Sequence, residues 1–168
     1  MKKRTKLLRI VREVLIGLLL LFFFSLVLNW YRAPKAMENA LSQIKGMTLH
    51  GKRIQSYRRQ GEPLMIHFWG TWCPVCRQEA SNIGRVARHY PVITVAVQSG
   101  TKGEILDWMK RQKVDYPILN DPDGTLAKRF GVSIFPTTFI LSPDGQVKFT
   151  ETGYTTTAGL LARMKLAE

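Results

Sequence analysis

The sequence is poor in cysteine, histidine and acid. Two cysteines in 168 residues cannot staple a disulfide-rich scaffold. The three histidines, His50, His67 and His89, form no second paired motif with which the thiols could complete a four-ligand zinc site. Acidic residues number 12 against 25 basic ones, and with 45% hydrophobic residues the chain can bury a core rather than stay disordered. Internal repeats and low-complexity tracts are missing, which excludes a solenoid. The length suits one domain plus an appendage.

The basic surplus, a formal +13, raises nucleic-acid binding as a first thought. Its placement argues otherwise. Lys2, Lys3, Arg4, Lys6, Arg9 and Arg12 against Glu13 carry +5, and the remaining +8 is scattered through the chain without a nucleic-acid motif. A diffuse surplus of this kind favours acidic protein partners or lipid head groups.

Long apolar runs are also scarce, and the one present follows that basic tail. Val14 to Leu28 is apolar except for Gly17 and Ser25. As a helix it covers about 22 Å, short of the roughly 30 Å hydrocarbon core, so flanking Leu7, Leu8, Ile10 and Val11 have to contribute while Arg9 and Arg12 snorkel. A cleaved signal peptide would end in small residues, whereas this run exits through Asn29, Trp30 and Tyr31, an interfacial aromatic pair. The expectation is an uncleaved transmembrane helix at 14–31, with a cytoplasmic basic tail at 1–13, a linker at 32–44 and the folded domain at 45–168 outside the cytoplasm.

In that domain strand-like and helix-like periods alternate. Leu64 to Trp69 and Val92 to Val97 read as buried strands; Pro74 to about Tyr90 reads as a helix. Thr101 can cap a helix carrying Ile105, Leu106, Trp108 and Met109 on its apolar side. "YPILNDPDG" predicts a short strand and a turn, "TLAKRFGV" a short helix ending near Gly131, and "PTTFILSPDGQVKFT" two strands joined at Asp144-Gly145. A last helix starts near Thr157, and Met47 to Ile54 is expected to add a hairpin at the sheet edge. The pattern is that of an α/β fold, a central sheet flanked by helices.

The two cysteines stand three apart in "HFWGTWCPVCRQE". Such a pair can be a metal half-site, a permanent staple or a redox couple. Metal lacks the remaining ligands, and a staple across three residues removes little chain entropy. The redox reading accounts for the surroundings. Cys73 stands where strand gives way to helix, with Pro74 at the first helical position, so the free N–H groups and the dipole favour a thiolate there. Cys73 is then the attacking sulfur and Cys76, one turn on, the resolving one.

With these residues in place, "FWGTWCPVC", "DPDGTLAKRFGV" and "FPTTFILSPDG" together resemble the thioredoxin superfamily. Their combination is similar to the membrane-tethered TlpA/ResA/CcmG-like thiol-disulfide oxidoreductases, within which the nearest group is that of the copper-sensitivity suppressor protein D. The resemblance spans about Met47 to the C-terminus. It implies a thioredoxin-like fold with a mixed sheet, no cofactor beyond a redox-active Cys73–Cys76 disulfide, and a cis-proline at Pro136 after Phe135. It also implies aromatic residues flanking the site at Trp69 and Trp72, with a core role alone as the alternative for Trp69, and substrate contacts from Trp72, Pro74, Val75, Phe135 and Pro136. Glu79 matches an acidic position near the site; its alternative is a solvated first-turn glutamate. His67 stands where thioredoxin carries a buried aspartate, and is either a proton acceptor for Cys76 or a neutral filler. The implied partners are periplasmic protein thiols or disulfides, in cytochrome c maturation or copper tolerance, with a transmembrane electron donor of the DsbD/ScsB kind. A competing reading is a membrane-tethered Cu(I) chaperone using the same thiols. A peroxidase is weaker, because that chemistry wants its cysteine in a threonine-containing context.

Overall fold

The computed structural model describes residues 11–21, 23, 24, 27 and 44–168. The chain divides into two compact units, Met1–Ala33 and Pro34–Glu168. In the first, the described residues are helical and their large apolar side chains are exposed. Among the described residues no helix is long and apolar enough to cross a membrane. The rest of the expected span, and residues 32–43 of the expected linker, lie outside the described residues. Ile44, the last residue assigned to that linker, is instead buried in the folded core.

The second unit is built on a five-stranded sheet: β1 (Leu64–Trp69), β2 (Val92–Val97), β3 (Ile118–Asp121), β4 (Thr137–Leu141) and β5 (Val147–Thr152), in the order β3-β2-β1-β4-β5. β1 pairs in parallel with β2, and β2 with β3, while β4 runs antiparallel to both β1 and β5. β1 and β2 are buried along their whole length, which is why they read as unbroken apolar runs rather than alternating ones.

Strand periodicity sorts the core into two layers. Met65, Trp69, Val92 and Ala96 pack on one face with the helices α1 (Pro74–Val86), α2 (Lys102–Gln112) and α4 (Thr157–Leu166). Ile66, Phe68, Ile93 and Val95 pack on the other, against Ala127 and Phe130 of the α3 (Thr125–Arg129) region and Ile54. Here Phe68, Phe130 and Phe139 form a ring triad with centroids 5.1 to 5.9 Å apart.

The helix ends follow their chemistry. Thr101 and Glu104 close a reciprocal capping box on α2, and Lys113 ends that helix in the left-handed region. α3 is capped from a distance: both Asp121 carboxylate oxygens accept backbone N–H groups, from Leu126 at 3.0 Å and Ala127 at 2.9 Å. The expected edge hairpin over Met47–Ile54 does not form. Met47 and Arg53 make one isolated antiparallel bridge, Ile54–Tyr57 is a 3-10 turn, and Leu49 hydrogen-bonds once to Ile118 at the edge of β3. The chain turns too tightly for strands, since Thr48 N–H reaches Lys52 O and the intervening Gly51 adopts φ +76°.

Candidate active site

The site lies where β1 hands over to α1. After Trp69 the chain turns through Gly70 and Thr71, fixed by Cys73 N–H to Gly70 O (3.1 Å) and by Thr71 N–H to Ser99 Oγ (3.0 Å). Cys73 is the N-cap of α1, in extended conformation, and Pro74 occupies the first helical position. Cys73 and Cys76 form a disulfide, and Cys73 Sγ accepts the Cys76 N–H at 3.1 Å. The sulfur thus takes the place of an N-cap oxygen. In the reduced protein the same N–H and the positive helix end would favour a thiolate at Cys73.

The register of β1 and β4 brings the second half of the site to the same end of the sheet. Phe68 pairs with Thr137, so the chain just before β4 runs beside Gly70 and Thr71. The Phe135–Pro136 peptide in that segment is cis. Phe135 meets the Trp72 indole edge-on, centroids 5.2 Å apart, and the indole Nε1–H donates to Val97 O at 3.1 Å. Trp72 (52% exposed), Val75 (38%) and Ile134 (39%) leave an apolar collar in solvent around two sulfurs that are themselves nearly covered. Such a collar suits a polypeptide rather than a small polar ligand.

The residues singled out by sequence fall into two sets. Trp72, Pro74 and Val75 flank or separate the cysteines in the chain, and the Trp72–Phe135 contact brings the segment carrying Pro136 to the same end of the sheet. Trp69 belongs to the core, stacked on Trp108 with centroids 4.3 Å apart. His50 and His89 are exposed. Among the described residues no group of three or more His, Cys, Asp or Glu side chains is placed to hold a metal ion.

Glu79 is not the solvated glutamate of the alternative reading: it is fully buried on the inner face of α1, one turn beyond Cys76. Its Oε1 accepts the Thr155 N–H at 2.8 Å and its Oε2 has no partner among the described residues. Burial raises its pKa to about 7, against the lowering effect of the Thr155 bond. A carboxyl poised there can give or take a proton near neutral pH. His67 lies directly opposite Thr138 across β1 and β4, with Nδ1 2.9 Å from Thr138 Oγ1. Burial lowers its pKa to about 3, which keeps the imidazole neutral and favours the filler reading over the proton acceptor.

Three residues escaped the sequence reading. Ile134 completes the collar. Gly70 is required by contact, since a Cβ there would stand 2.5 Å from the Trp72 ring. Asn82, three residues after Glu79 on the same buried face, donates to Thr155 O (2.9 Å) and Tyr154 Oη (3.1 Å), so α1 grips the loop leading into α4 twice. Two polar residues in the apolar phase of a helix were the available signal.

Comparison with known proteins places this geometry among relatives. The model of the AhpC/TSA family matches residues 35–150. A thioredoxin-like protein of Haemophilus influenzae is 31% identical over 84% of this chain and 85% of its own. The thiol-disulfide oxidoreductase ResA of Bacillus subtilis is 31% identical over 82% of each. Among solved structures, a secreted Mycobacterium tuberculosis disulfide oxidoreductase homologous to Escherichia coli DsbE superposes with a TM-score of 0.64 at 25% identity, covering 77% of this chain and 99% of that one.

Proposed function

This chain belongs to the AhpC/TSA family and is a ResA-like protein thiol-disulfide oxidoreductase, and on that premise we propose that it works from the bacterial inner membrane on periplasmic proteins. In this reading residues 14–31 anchor it, 1–13 stay in the cytoplasm and the thioredoxin-like domain faces the periplasm. The basic tail ahead of the apolar run and the Trp30-Tyr31 exit support that topology.

The observation that carries the chemistry is the Cys73 sulfur capping α1 beside the cis Phe135–Pro136 peptide. In the reductive direction, the Cys73 thiolate attacks one sulfur of a substrate disulfide. A mixed disulfide forms and the other substrate sulfur leaves as a thiolate, which takes up a proton. The Cys76 thiol then loses its proton, with Glu79 as acceptor, and attacks Cys73 Sγ. The substrate's second sulfur is expelled and the protein is left with its Cys73–Cys76 disulfide. The substrate has gained the two electrons that the dithiol lost, and a transmembrane donor of the DsbD/ScsB kind restores the dithiol. Trp72, Val75, Phe135 and Pro136 hold the substrate chain, in cytochrome c maturation or copper tolerance.

Replacing Cys76 with Ser blocks resolution, so mixed disulfides through Cys73 should accumulate and appear on non-reducing electrophoresis. Failure to trap any periplasmic protein, with wild-type expression and folding, would overturn the reading. Stoichiometric copper binding without insulin reduction would point instead to a Cu(I) chaperone.

A further inference from the structure

Away from the disulfide, the C-terminal end of α1 borders two hollows that meet at Ala87. The first, about 630 Å³ between α1 and α2, has an apolar floor of Leu106, Met109 and Val114 and a rim of Arg88, Lys110 and Lys113. The second, about 820 Å³, has Pro91, Val92 and Pro117 below and Lys52, Arg53 and Arg59 at its edge. His50 and Arg85 also line the first, and Asp115 is the one acidic residue in either.

Some of these cations are engaged: Arg85 with Asn82 and Thr157, Lys110 with Asp107, and Arg59 with Glu62. Lys52, Arg53, Arg88 and Lys113 have no carboxylate partner among the described residues. Four unpaired cations around two apolar floors form a surface whose complement is acidic and apolar at once. Concavity selects the form of that complement. A flat lipid surface would touch the rim and leave both floors empty, whereas a polypeptide can send alternate side chains down to them.

We propose that this double hollow docks an acidic, amphipathic segment of a partner polypeptide. Along α1, at 1.5 Å per residue, it begins about 12 Å from Cys73 at Ser81 and is centred about 20 Å away at Ala87. An occupant therefore leaves the sulfurs free, and the surface can hold a partner in place while its thiols exchange or retain a second protein.

The test uses the full chain in neutral detergent and a fluorescent 16-residue peptide in which Glu and Asp alternate with Leu and Ala. Saturable binding is expected, weakened roughly tenfold or more by Arg88→Glu with Lys113→Glu, and likewise by Lys52→Glu with Arg53→Glu. Hydrogen exchange should slow at 84–90 and 106–115 when the peptide is bound. Insulin reduction by these variants should equal wild type, which also reports that they fold. Cys73→Ser should abolish insulin reduction and leave peptide binding intact, so the two readings fail separately. Equal binding by the charge-reversed variants overturns the proposal, as does no saturable binding. So does protection of these segments by phosphatidylglycerol nanodiscs but not by peptide.

Discussion

Glu79 Oε1 accepts the Thr155 N–H at 2.8 Å while its Oε2, also buried, has no partner among the described residues. One oxygen thus pins the loop before α4 and the other is left free for a proton. With the pKa raised to about 7, the group changes charge in the pH range where thiol exchange runs. Glu79→Gln keeps an acceptor for Thr155 but removes the titration. Resolution of a Cys73 mixed disulfide should slow about tenfold or more, and the inflection near pH 7 in its rate should vanish. Stopped-flow measurement across pH 5.5 to 8.5 reads both; an unchanged profile would reduce Glu79 to a loop anchor.

His67 and Glu79 have opposite effects on stability as pH changes. Glu79, raised from 4.5 to about 7, keeps its proton in the folded state after the unfolded chain has lost it, so stability falls as pH rises through that window. His67, lowered from 6.5 to about 3, takes a proton only when unfolded, so stability falls as pH drops below 6.5. Between pH 4.5 and 6.5 the two contributions cancel. His67→Gln should therefore uncover a loss of about 1.4 kcal/mol per unit rise in pH, and Glu79→Gln a gain of similar size. Urea unfolding at pH 4.5, 5.5 and 6.5 gives the slopes. Parallel slopes in wild type and His67→Gln would show that the imidazole is not held neutral by burial.

Much of the fold could be read from local chemistry. β1 and β2 fall where their unbroken apolar runs stand, and α2 starts at the Thr101–Glu104 box. Pro74 marks the start of α1 because only the first turn tolerates a missing N–H. The burial of Glu79 was only half readable: it falls in the apolar phase of α1, but a carboxylate in the first turns of a helix is equally at home in water. What decides it is the loop at Tyr154–Thr157 folding back over α1, a contact between residues more than 70 positions apart. The edge segment stops at the single Met47–Arg53 bridge, because Met47 is exposed and further pairing would bury little.

Gly70 tests whether the collar has to be rigid. Trp72 is held by Phe135 and by the bond to Val97 O, so its ring cannot yield cheaply to a new Cβ 2.5 Å away. Gly70→Ala should expel the indole from that seat at a cost of about 1–3 kcal/mol. Trp72→Ala removes the ring without the clash. Both should raise KM for a protein disulfide by several-fold while leaving reaction of Cys73 with a small disulfide nearly unchanged. Equal losses with small and protein substrates would place Trp72 outside substrate binding.

The Pro74-Val75 pair bears on the direction of electron flow. Whatever stabilises the Cys73 thiolate stabilises the reduced protein and makes the disulfide a stronger oxidant. Here the sulfur has the helix end and the Cys76 N–H, but Val75 brings no charge to it. The potential should therefore lie above thioredoxin's, about −270 mV, without reaching the strongest oxidants near −120 mV. Val75→His would place an ionisable cation beside the thiolate, and a tenfold gain in its stability corresponds to about 30 mV. Equilibration of wild type and Val75→His against glutathione and dithiothreitol series, read by thiol alkylation, gives both values. A wild-type potential below thioredoxin's would mean that the helix end does not set the thiolate's stability.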